Sequence, residues 1–98
     1  MNEALLQEAI PKTATDIISR KNIDGTVSVL RIDNDQYFFN ITGLAVELWL
    51  LINGRLTVQE IEEKMKKRHK ELPPGRFHKD VLFFIKSLKK EKLISLKG

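Results

Sequence analysis

The sequence predicts an α+β domain in which a three-stranded antiparallel β-meander is followed by three α-helices. Two observations predict it. Between residues 16 and 39 three runs rich in β-branched and aromatic residues are separated by short polar links, and from residue 44 onward apolar residues recur at helical spacing. The length of 98 residues, 42% of them hydrophobic and 31% charged, suits one small core and excludes a multi-domain enzyme.

The strands are read at residues 17–20, 26–32 and 36–39. In the first link the Asp24-Gly25 pair supplies a positive φ, and in the second, residues 33–35, Asn34 is expected to take the left-handed position. Val27, Val29 and Arg31 share one face of the middle strand, while Ser28, Leu30 and Ile32 share the other. Neither face is cleanly polar, so one covers the helices and the other keeps apolar surface.

Asn40 or Thr42 is expected to cap a first helix reaching about Ile52, where Asn53-Gly54 gives a left-handed stop. Glu47 is its one charge, so the whole helix is predicted to lie within the core. Thr57 and Glu60 form a T-x-x-E capping box for a second helix with an apolar stripe of Val58, Ile61, Met65 and Leu72. Pro73-Pro74-Gly75 interrupts the pattern, and a third helix is predicted over residues 76–91, burying Phe77, Val81, Phe84, Ile85 and Leu88. Residues 1–10, with Leu5, Leu6, Ala9 and Ile10 before Pro11, read as either a short helix or a mobile segment preceding a domain over residues 11–98.

Seventeen Lys and Arg against thirteen Asp and Glu leave a net charge of +4, which favours an acidic partner. The absence of cysteine excludes disulfides and thiolate zinc sites. There is no phosphate-binding glycine loop, nucleophile elbow or H-E-x-x-H helix, and His69 and His78 fall on different predicted elements, so no catalytic or metal site and no cofactor is expected. With neither a secretory signal pattern nor an apolar run approaching about 18 residues, a cytoplasmic protein without a membrane partner is expected.

The order of these features resembles the PqqD-like family, the precursor-peptide recognition elements of ribosomal peptide maturation. The resemblance is carried by Tyr37-Phe38-Phe39-Asn40-Ile41-Thr42-Gly43, by Trp49 with Asn53-Gly54, by Thr57-Val58-Gln59-Glu60-Ile61 and by Asp80-Val81-Leu82-Phe83-Phe84. It departs from the family where Glu91-Lys92 replaces a glycine near the end of the last helix. The resemblance implies a winged helix-turn-helix-like fold and a non-catalytic adaptor. Such an adaptor binds the leader of a precursor peptide by strand addition and presents it to a modifying enzyme, such as a radical-SAM enzyme.

On that reading Gln36, Tyr37, Phe38 and Phe39 form the receiving edge. His78, Leu82, Lys86 and Lys89 are expected to line the opposite wall, where their basic character would suit an acidic leader. Two alternatives stand beside it. One is a winged-helix DNA-binding protein, although the last helix carries one arginine, Arg76, which argues against nucleic acid. The other is a homodimer formed through the apolar sheet face or the N-terminal segment.

Overall fold

The computed structural model describes residues 2–97, the side chain of residue 35 excepted. The chain runs α1 (Glu3–Glu8), β1 (Ile10–Thr13), β2 (Ile17–Lys21), β3 (Val27–Arg31), β4 (Asn34–Ile41), α2 (Leu44–Leu50), α3 (Val58–Arg68), α4 (Pro74–Lys90) and β5 (Ile94–Lys97). Strands β2, β3 and β4 form the antiparallel meander, with β4 at an edge, and three helices follow it. The predicted α+β architecture is the observed one.

A second sheet, absent from the sequence reading, pairs β1 with β5. Its partners are more than 80 positions apart, and each run is four residues long, too short for a periodicity signal. The Gly54 and Val58 amides donate to the Pro11 and Ala9 carbonyls, covering the outer side of β1. Gly54 sits at φ +77, in the left-handed region that favours glycine, and through its amide bond to Pro11 the predicted glycine stop also seats β1.

The inner face of the meander carries Val27, Val29 and Ile41, which pack with Val58, Ile61 and Met65 of α3 and with Val81, Ile85 and Leu88 of α4. Helix α1 joins this core through Leu6, 1% exposed, and is capped by the Asn2 side chain on the Leu5 amide. Each buried aliphatic side chain of this size stabilises the fold by about 1.5–3 kcal/mol of transfer free energy.

Several local expectations are corrected. Neither Asn40 nor Thr42 caps α2; Gly43, at φ +64, is its N-cap and makes no side-chain cap bond. The chain must turn sharply between β4 and α2, and the left-handed conformation that does so favours glycine. Leu44 and Leu50 are exposed, so α2 buries one face, through Val46, Leu48 and Trp49, rather than its whole circumference. Its isolated charge, Glu47, accepts from His69 Nε2 at 2.5 Å, which fastens the end of α3 to α2. Helix α3 opens on the predicted capping box but ends at Arg68, before Leu72.

Asn34 is not left-handed. The tight turn is made by Ile32 and Asp33, with Arg31 opposite Asn34 and a bulge in β4 beyond it, and the Asn34 side chain accepts from the Gln36 amide at 3.1 Å. Among the described residues the left-handed non-glycine residue is Lys92, at φ 60. The Leu93 amide donates to Leu88 and the Lys92 amide to Lys89, which is the Schellman ending of a helix with lysine in the usual glycine position.

Candidate functional site, the free edge of the meander

Strand register fixes which backbone groups face outward. The Asn22 and Ile32 amides bond to Thr26 and Asp16 across β2 and β3, so the even-numbered residues of β3 point toward β2 and the odd ones toward β4. Val27 and Val29 then bond to Ile41 and Phe39, which leaves the N–H and C=O of Phe38 and Asn40 directed away from the sheet. These are the free ladder groups of β4. Gln36, also expected at the edge, has its amide occupied by Asn34.

Side chains alternate about that edge. Tyr37 and Phe39 lie half-buried on the inner face, packed against the core, while Phe38 is 61% exposed on the outer face in a row with Leu30 and Ile18. Helix α4 lies along the inner side. At one end the Tyr37 hydroxyl donates to Glu91 Oε1 at 2.9 Å, the Arg31 guanidinium stacks 4.6 Å from the Tyr37 ring centroid, and Arg31 also donates to the Glu91 carbonyl. Burial, and then the bond to Glu91, pushes the Tyr37 hydroxyl above its ordinary pKa. At the other end β4 leads into Leu44, which lines a cleft of about 290 Å³ with Leu72, Pro73, Arg76, Phe77 and Asp80. Strand and helix therefore run antiparallel for about 20 Å at 1.5 Å per helical residue, room for about six residues of extended chain.

The wall opposite β4 is not the one expected. At about 100° per residue, Glu91 lies close to the row of Phe84 and Ser87 and about 160° from Lys89. His78, Leu82, Lys86 and Lys89 occupy the opposite flank. His78 Nδ1 bonds to Glu62 Oε1 of α3 at 2.7 Å, and Nε2 bonds to Glu3 of α1. Leu82 is 7% exposed, within the core, and Lys86 and Lys89 share a cleft with Leu6 and Leu96. The pairing of Tyr37 with Glu91, which sets the orientation of α4, spans 54 residues and has no local signature in the sequence. Tyr37 and Phe39 of β4 and Phe84 of α4, each half-buried against the core, thus lie on the sides that strand and helix turn toward each other, and none of the four expected wall residues does.

His78 and Glu62 form a second polar cluster. Glu62 is 4% exposed, and its other oxygen accepts from Lys66 at 2.7 Å, so both oxygens of this buried carboxylate are matched. The bonds to Glu3 and to Glu62 raise the His78 pKa above its ordinary value. Among the described residues no group of His, Asp and Glu is arranged to hold a metal ion, and no helix is long and apolar enough to cross a membrane.

A family model described as Coenzyme PQQ synthesis protein D (PqqD) matches residues 27–94. The chain belongs to the PqqD family. The PqqD match takes in β3, β4, α2, α3, α4 and the first residue of β5, and so contains both walls of the groove. A solved structure, TbiB1 in complex with the TbiA(beta) leader peptide, is similar over 86% of this chain and 94% of its own, with a TM-score of 0.73 and 18% identity. This likeness shows a shared fold over more of the chain than the family model matches. No curated protein matches the sequence.

Proposed function

We propose that this PqqD-family chain is a non-catalytic recognition domain that holds the leader of a ribosomally made precursor peptide and presents it to a separate modifying enzyme, such as a radical-SAM enzyme. The leader adds to the meander as a fourth strand. Its backbone pairs with the free groups of Phe38 and Asn40, and alternate side chains enter the groove over Tyr37, Phe39 and Phe84. The observation that carries this reading is the unpaired edge of β4 lying along α4. That TbiB1 is a leader-peptide complex of the same fold supports it. Because the floor is aromatic and the lysines lie elsewhere, bulky apolar side chains rather than acidic ones anchor the leader.

An amide NMR titration with peptides encoded near the gene, run beside a random DNA duplex at low salt, tests the proposal. Shifts at residues 37–41 and at Phe84, Ser87 and Glu91 with one peptide are expected. A response to the duplex alone, abolished by salt, would replace this reading with nucleic-acid binding.

A further inference from the structure

On the flank of α4 that faces away from β4, two clefts of about 480 and 500 Å³ adjoin one another, sharing Lys89 and Leu96. The first is lined by Leu6, Lys86, Lys89, Lys90 and Leu96, and Lys92 and Ile94 contribute to the second. Among the described residues, no acidic one lines either cleft. Among the described residues, none of these four lysines makes an ion pair, although acidic side chains elsewhere engage Lys66, Arg68 and both histidines.

Strand β5 borders the same clefts and carries a second free edge. The Ala14 amide donates to the Leu93 carbonyl, so within this sheet residues 93, 95 and 97 bond to β1. The N–H and C=O of Ile94 and Leu96 point away from it. Pro11, opposite Leu96, has no N–H to give, in accord with this register. Whereas the outer side of β1 is covered by Gly54 and Val58, that of β5 has no backbone partner among the described residues.

We propose that this edge is a second docking site, which takes an extended acidic segment of a partner protein carrying bulky apolar side chains at alternate positions. Its backbone pairs with Ile94 and Leu96, its apolar side chains enter the clefts over Leu6 and Leu96, and its carboxylates meet Lys86, Lys89, Lys90 and Lys92. A second copy of this chain is a poor occupant, because β5 against β5 would bring the two lysine sets together. Assigning the site to a partner protein rests on the proposed function: a leader lying along β4 is on the other side of α4. The domain then has one edge for its peptide and another for the protein that acts on it.

The probe is an acetylated octapeptide of alternating Glu and Leu, titrated into the labelled full chain, with alternating Lys-Leu and Glu-Ser octapeptides as controls. Expected are amide shifts at Leu6, Lys89, Ile94 and Leu96, about fivefold or greater weakening in a Lys86→Glu, Lys89→Glu double variant, and no comparable response to either control. These exposed lysines can be reversed without unfolding the chain, and the amide spectrum verifies it. Absent shifts, shifts confined to β4, or an equal response to the Lys-Leu peptide would overturn the proposal. A leader peptide titrated separately reports on Phe38 and Asn40, so failure there removes the proposed function and leaves the result at β5 legible on its own.

Discussion

The Tyr37 hydroxyl donates to Glu91 Oε1 at 2.9 Å, joining the edge strand of the meander to the residue that ends α4. This contact, backed by Arg31 on the Tyr37 ring and on the Glu91 carbonyl, closes one end of the groove and sets which flank of α4 faces β4. Tyr37→Phe removes the bond while leaving the ring in place. Glu91 is only half-buried and can turn to water, so the expected loss is about 1 kcal/mol in denaturant unfolding.

Lys92 holds a left-handed conformation at φ 60 that costs a side-chain-bearing residue about 1 kcal/mol relative to glycine. Lys92→Gly relieves this strain but gives the unfolded chain more freedom, and the native geometry makes the first effect the larger. A gain of about 0.5–1 kcal/mol in denaturant unfolding is expected.

Leu6 docks α1 on the core and is almost completely buried. Leu6→Ala is expected to cost about 2–4 kcal/mol, from lost transfer energy and the cavity left behind. Were α1 a dispensable tail, the loss in thermal or chemical unfolding would stay below about 0.5 kcal/mol.

His78 has its pKa raised in the folded chain by its bonds to Glu3 and Glu62. A raised folded value means the native state binds the proton more tightly than the unfolded chain. The resulting stability is fully present below the unfolded value of about 6.5 and is lost as pH rises through the folded value. Unfolding free energy followed from pH 5.5 upward should therefore fall relative to that of His78→Gln, whose curve lacks this contribution.

Much of the fold was legible because its signals are local. The β-branched runs, the Asp24-Gly25 turn and the Thr57 capping box each occupy a few consecutive residues and appear as read, and the stripe of α4 does so except that Leu82 is buried and Phe84 only half-buried. What escaped depends on long-range placement. The pairing of β1 with β5 joins chain ends, and the bulge that frees Asn34 from the left-handed position depends on how β3 and β4 settle together. For the candidate site, the edge strand was legible from the order of the meander, but its facing wall was not. His78, Leu82, Lys86 and Lys89 form a coherent row on the helix, and only the contacts of Tyr37 with Glu91 and of His78 with Glu3 reveal that the row faces α1. Glu62 shows the same limit: one charge among many on α3, it is buried because His78 and Lys66 meet it.

The central claim is that a leader peptide pairs with the outward backbone of β4, and the most direct measurement compares its affinity for the unmodified chain, Phe38→Pro and Lys86→Glu. Proline at position 38 removes an outward N–H but no bond to β3. With both variants folded by their amide spectra, Phe38→Pro is expected to bind about tenfold more weakly or worse and Lys86→Glu to bind unchanged. Unaltered affinity in Phe38→Pro, or a loss confined to Lys86→Glu, would contradict the account.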